Sequence, residues 1–188
     1  MKNLLFACII LTLNSCSSFF NCEDGIGEAV RWDTIGPAIH TIKNYISADI
    51  NYRYNAKIQE TKLSINAEQN ILDLIEVEFD GKQLILDSDP CLNSKTGLVA
   101  TIESPYLKKV KMEGFGDFKA ENLIESEKIS FEINGSGSAD FCANAEEILC
   151  VVYGSGEYKL SGNAEYLEAK LLAQVKLTLN FLKLKAPT

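Results

Sequence analysis

The sequence predicts an all-β fold, a β-helix-like solenoid of stacked coils. Three observations predict it. A glycine motif recurs as Gly114-Phe115-Gly116, Gly135-Ser136-Gly137 and Gly154-Ser155-Gly156, at spacings of 21 and 19 residues. Apolar residues alternate with mostly polar ones on both sides of each motif. No long amphipathic helix pattern occurs between Glu28 and Lys109.

Aligned on the first glycine, Val110, Phe131, Cys150 and Ala169 share one column, and Met112, Ile133, Val152 and Leu171 share another. Lys111, Glu132, Val151 and Lys170 lie between them. Beyond the motif, Phe118, Ala139, Tyr158 and Leu177, then Ala120, Phe141, Leu160 and Leu179, repeat the pattern. Lys119, Asp140, Lys159 and Thr178 are expected to face water. Coils stacked about 4.8 Å apart bury like columns against one another, which no single coil could do. Gly114, Gly116, Gly135, Gly137, Gly154 and Gly156 are assigned to the corners, where positive φ is needed. A fourth copy carries Ala173-Gln174-Val175 and reads as a coil with a different corner. The chain stops at Thr188, about where another coil would begin. The expectation is either an open end that invites a cap or partner, or a shortened gene product.

At the N-terminus, Met1-Lys2-Asn3 precedes an apolar run from Leu4 to Leu13. That run is too short to span a bilayer and reads as a signal peptide over residues 1–15. A small residue stands directly before Cys16, as in a bacterial lipobox. Cys16 is therefore the expected lipid attachment, against an ordinary cleaved signal with an incidental cysteine. Residues 16–27 read as a tether, and residues 28–188 as a single all-β domain with its repeats over about 107–185.

Within the upstream half, Thr34–Ile46 mixes Gly36, Pro37 and β-branched residues and reads as short strands. Tyr45–Tyr54 alternates, with Ile46, Ala48, Ile50 and Tyr52 on one face and Ser47, Asp49, Asn51 and Arg53 on the other. Lys62–Ile65 is a strand, Gln69–Leu74 a helical turn, and Glu76–Phe79 a strand. Asp80-Gly81 makes a hairpin turn into Leu84–Leu86. Asp87–Thr96 is a polar loop, and Gly97–Ile102 starts the next strand. Both halves are expected to share one sheet system.

In order and spacing, the Gly-Ser-Gly repeats, Ala48-Asp49-Ile50, Ile65–Leu72 and Gly81–Ile85 resemble the head GIN domain family of auto-transporter adhesin domains. The resemblance covers about residues 28–185. It implies a β-helix-like fold and a cell-envelope role in Bacteroides-type bacteria, and it supplies no catalytic residues. The chain departs from the family pattern at Ala173–Val175 and lacks the final Gly-Ser-Gly coils.

A net charge of −8, with no Lys/Arg cluster, argues against nucleic acid as a partner. An anionic membrane would repel the chain too, so membrane association is expected through the anchor alone. Cys22, Cys91, Cys142 and Cys150 could form two disulfides in three connectivities. Cys150 points inward while Cys142 shares an outward column with Glu121, Ser161 and Asn180, so those two are not expected to bond. Cys150 is read as a buried filler, and no disulfide as the better expectation. A single histidine, His40, and the lack of a CxxC pair speak against zinc. His40 has no Ser or Cys motif beside it and reads as a surface or edge-strand residue.

Asp117, Ser138, Glu157 and Lys176 form the column after the corner. Two opposed carboxylates would be needed for glycan hydrolysis, but this column reads as a solvated face. Phe118, Phe131, Phe141 and Tyr158 fall inward, whereas Tyr52, Tyr54, Tyr106 and Tyr153 are candidates for the surface. The expected function is a non-catalytic cell-envelope lipoprotein without a cofactor or bound metal. It would be an adhesin-like module that meets the membrane through its anchor and binds an envelope protein or glycan. The alternatives are a β-helix glycan-active enzyme and a structural partner of an envelope complex.

Overall fold

The computed structural model describes residues 22–172 and 175–184, without the side chains of residues 175 and 181–184. The expected signal peptide, Cys16 and the expected fourth corner at Ala173 and Gln174 lie outside the described residues. In chain order the elements are β1 (Glu23–Asp24), β2 (Ala29–Pro37), β3 (Thr41–Asn44), β4 (Asp49–Tyr54), β5 (Glu60–Glu68), α1 (Gln69–Leu72), β6 (Glu76–Asp80), β7 (Gln83–Asp87) and β8 (Leu92–Asn93). There follow β9 (Val99–Ser104), β10 (Lys109–Gly114), β11 (Phe118–Ala120), β12 (Ile124–Gly135), β13 (Ala139–Gly154), β14 (Gly156–Leu172) and β15 (Val175–Leu184).

The fold is all-β. β1 pairs with β8, and the other strands form one 13-stranded sheet. Its order is β2-β5-β9-β4-β11-β13-β12-β10-β3-β7-β6, with β14 on β13 and β15 on β14. The sheet curls into a nearly closed barrel, because its two end strands meet where Gly36 of β2 packs on the Phe79 ring of β6.

Strand register follows the repeat. Val110 lies beside Phe131, Phe131 beside Cys150, and Cys150 beside Ala169, all in parallel pairs. Phe118 pairs with Ala139, Ala139 with Tyr158, and Tyr158 with Leu177. A parallel shift by one repeat keeps the inward positions inward as far as Cys150, Val152, Tyr158 and Leu160. Ala169, Leu171 and Leu179, expected inward, are exposed instead, because they lie on β14 and β15, the outermost of the described strands in this stack. The apolar columns also run further upstream than the glycine motif. Leu84, Ile42 and Val110 are successive partners, as are Ala100, Ile50 and Phe118. Inside, Phe118 meets Phe131 edge-on at 5.1 Å, and Phe131 stacks on Phe141 at 3.9 Å.

The corners need glycine for two reasons rather than one. Gly114, Gly135 and Gly154 have φ of 95°, 148° and 142°, a region that favours glycine. Gly116, Gly137 and Gly156 are not among the residues with positive φ. Each instead lies under a backbone carbonyl of the preceding rung, Ala48, Gly116 and Gly137 respectively, where a methyl group would collide. Gly135 and Gly154 combine both constraints, since a methyl would strike the Gly114 or the Gly135 oxygen.

The start of the described chain is docked onto the fold, although it falls in the stretch read as a tether. Cys22 is bonded to Cys91, which reverses the expectation of no disulfide, while Cys142 and Cys150 are free. The N–H of Glu23 donates to the Cys91 carbonyl at 2.7 Å, and that of Gly25 to Asn93 at 2.9 Å. Gly25 packs directly on the buried Glu68 carboxylate, leaving no room for a side chain. Sequence reasoning had no basis for this pairing, because Cys22 and Cys91 are 69 residues apart in unrelated motifs.

Candidate functional site

The column after the corners is a hydrogen-bonded ladder. Asp117 N–H donates to Asp49 Oδ1 at 2.9 Å, Ser138 N–H donates to Asp117 Oδ1 at 2.7 Å, and Glu157 N–H donates to Ser138 Oγ at 3.5 Å. The Lys176 ammonium meets Glu157 at 2.8 Å and Lys159 lies 3.8 Å from it. These cations, the Lys176 hydrogen bond first, hold the Glu157 carboxyl below its ordinary pKa. A general acid needs the opposite shift. Asp117 and Glu157 line a groove of about 280 Å³ in which the Asp117 carboxylate caps the Ser138 backbone and the Ser138 hydroxyl that of Glu157.

Tyr52 is fully buried, contrary to its candidacy for the surface, and its hydroxyl donates to the Tyr106 carbonyl at 3.0 Å. Tyr106 itself is 51% exposed. Its ring meets the His40 imidazole edge-on, with centroids 5.0 Å apart. His40 N–H donates to the Lys82 carbonyl at 2.7 Å, and Lys108 N–H donates to the His40 carbonyl at 2.8 Å. Lys82, His40 and Lys108 therefore occupy successive rungs, about 4.8 Å apart by strand spacing. Partial burial, then the charges of Lys82 and Lys108, hold the imidazole below its usual pKa.

Across from them stand Tyr54, Glu125, Ser126 and Glu127, and together these residues line a cleft of about 540 Å³. Partial burial, then Glu125 and Tyr106, raise the Tyr54 pKa. Among the described residues, Lys82, Lys108, Glu125 and Glu127 take part in no salt bridge, whereas Lys109, Lys128 and Lys176 are all paired. Aromatic faces beside unpaired charges are what a polar ligand needs for orientation. The sequence showed His40 without neighbours, because the three basic residues are far apart in the chain and meet only through strand pairing.

Cys150 is buried and its thiol is pushed up to about 12 by that burial, so it is no nucleophile. Among the described residues no group of His, Cys, Asp and Glu could hold a metal ion, and no helix is long and apolar enough to cross a membrane.

Residues 41–184 match the family described as "Putative auto-transporter adhesin, head GIN domain". The chain belongs to that family. Its fold is similar to that of a crystal structure described as a putative adhesin from Bacteroides fragilis, with a TM-score of 0.65 and 16% identity. That likeness covers 85% of this chain and 100% of the other. A protein from Parabacteroides distasonis, described as a putative lipid binding protein, is similar with a TM-score of 0.60 and 15% identity, over 86% and 99% of the two chains. A putative adhesin from Parabacteroides merdae gives 0.52 and 13%, over 86% and 99%. At such identities the likeness is one of fold. No curated protein matches the sequence significantly. An adhesin-like family suggests a cell-surface or envelope protein.

Proposed function

We infer that this head GIN domain protein is a lipid-anchored, non-catalytic binding module of the cell envelope. Residues 1–15 act as the signal peptide, and Cys16 carries the lipid. The repeats form a β-helix-like solenoid of stacked coils, and the in-register parallel pairing of β10, β12, β13 and β14 supports that reading. The stack is a rigid scaffold, and the ligand is an envelope glycan or envelope protein held at the His40–Tyr106 cleft.

The observation that carries the reading is the meeting of exposed Tyr106 with Lys82, His40 and Lys108 on successive rungs, facing Glu125 and Glu127. Asp117 and Glu157, the carboxylates of the column after the corners, are engaged in a backbone hydrogen bond and in an ion pair with Lys176, which supports binding over glycan cleavage there. The test is isothermal titration of the mature protein with fractionated envelope glycans and proteins. A ligand should bind, and Tyr106→Ala combined with Lys82→Ala and Lys108→Ala should weaken it roughly thirtyfold, the loss expected of a central anchor. An empty screen together with a deletion strain that behaves like wild type would count against the reading. So would polysaccharide turnover that is lost on Glu157→Gln.

A further inference from the structure

β12 is paired unevenly along its length. From Ser130 to Gly135 it lies between two strands, β10 on one side and β13 on the other. From Ile124 to Ile129 its strand partner among the described residues is β13 alone. The neighbouring rung does not continue there. After Tyr54 the chain turns away toward β5, and the Asn55 N–H donates to the Ser104 carbonyl at 3.0 Å. The Asn122 side chain closes this end, donating to the Tyr54 carbonyl at 2.7 Å and accepting from the Tyr54 N–H at 2.9 Å. At the other end the Ser130 N–H donates to the Lys108 carbonyl at 2.8 Å. Between the two stops lies a notch about 20 Å long, the length of a short strand. A strand in a parallel ladder points its backbone groups alternately to either side. Those of Ile124–Ile129 that point away from β13 therefore have no strand to meet. The Lys128 carbonyl takes the Ser126 hydroxyl at 3.0 Å instead. Glu125, Ser126 and Glu127 line the His40 cleft, so this free half-strand is one of its walls.

We propose that the cleft takes an extended peptide segment of a partner protein, which adds a strand to the free half of β12. The inference rests on the reading of the His40 cleft as the ligand site and narrows that ligand from a glycan or protein to a peptide. Two features select the occupant. An unpaired edge presents donors and acceptors at the backbone repeat of about 3.3 Å, which another extended backbone matches and a sugar ring does not. The charges are also placed for a strand. Glu125 and Glu127 are exposed on the edge itself, and Lys82 and Lys108 stand across the cleft, all four outside any salt bridge among the described residues. A segment with a basic side chain beside Glu125 or Glu127 and an acidic one toward Lys82 or Lys108 complements both walls. The half-exposed Tyr106 ring gives such a segment an aromatic surface to pack on.

The test selects a displayed library of random peptides on the mature chain, residues 16–188 with Cys16→Ser, and synthesises the recovered sequences. They should combine β-branched residues with one acidic and one basic side chain. Alternate amides of an added strand face β12, so N-methylation of every second amide should lower affinity at least about tenfold in one phase and leave it unchanged in the other. The bound peptide should slow hydrogen exchange at the amides of Ile124–Lys128. Glu125→Lys with Glu127→Lys, at exposed positions that spare the fold, should weaken binding about tenfold. Replacing the basic residue of the peptide by Glu should then restore it. The proposal is overturned if no peptide is recovered, if both phases of N-methylation act alike, or if the charge reversal changes nothing. A glycan that binds through Tyr106, Lys82 and Lys108 overturns it while the reading of the cleft stands. If no ligand of either kind depends on those three residues, both fall together.

Discussion

Gly135→Ala tests the packing of the corners. At Gly135 φ is 148°, and an added methyl would meet the Gly114 carbonyl oxygen of the preceding rung. Backbone strain of this kind costs about 1–3 kcal/mol, and overpacking against atoms that cannot move aside costs about 1–3 kcal/mol more. The sum, about 2–6 kcal/mol, is a large part of the 5–15 kcal/mol that holds an ordinary domain together. Two controls separate the causes. Gly137 is not among the positive-φ residues but lies under the Gly116 carbonyl, so Gly137→Ala should cost only the overpacking share. Gly81 has φ of 59° with open space around it, so Gly81→Ala should cost only about 1–2 kcal/mol for the left-handed backbone. Urea unfolding followed by Trp32 emission and circular dichroism gives the differences from midpoints at constant slope. If Gly135→Ala costs no more than Gly81→Ala, the rungs are not in the close contact described.

Two further outcomes follow from the docked N-terminal segment. The Ser94 hydroxyl, followed by the backbone N–H groups of Lys95 and Thr96, holds the Glu68 carboxyl at about 2, against an ordinary value of 4.5. A depressed carboxyl pKa contributes stability that is full above the unfolded value and lost as pH falls through the folded one. Stability should therefore fall between about pH 4.5 and pH 2, and Glu68→Gln should flatten that slope; an unaltered slope contradicts the assignment. Opening the Cys22–Cys91 bond, which spans 69 residues, should cost about 4 kcal/mol by loop entropy. Cys22→Ser with Cys91→Ser should lower the thermal midpoint accordingly, and an unchanged midpoint would show that the segment is held by its hydrogen bonds alone.

The inward columns were legible because parallel pairing keeps side-chain alternation in phase over each shift of 19 or 21 residues. Phe131, Cys150 and Tyr158 could be placed inside from the spacing alone. The rungs at β3–β4 and at β7 and β9 were harder to read. Ile42, Asn44, Ile50 and Tyr52 continue the same columns, but their corner is Ile46-Ser47-Ala48, where Ser47 takes φ of 55° without a glycine pair. The segment from β5 to β9 then separates Ile42 from Val110, hiding the period. The antiparallel β2–β5 pairing and the free edge of β6 follow from how the sheet closes, which no local pattern encodes. The His40 cleft was invisible for the same reason, since Lys82, His40 and Lys108 are neighbours only across strands.

The most direct test of the functional account is crosslinked recovery of the protein from intact cells, with mass spectrometry of what is bound and of the protein's own N-terminus. The account predicts an N-terminus that begins at an acylated Cys16 and one specific envelope protein or glycan, lost when Tyr106, Lys82 and Lys108 are replaced by alanine. An unmodified N-terminus with no partner dependent on those residues would contradict it.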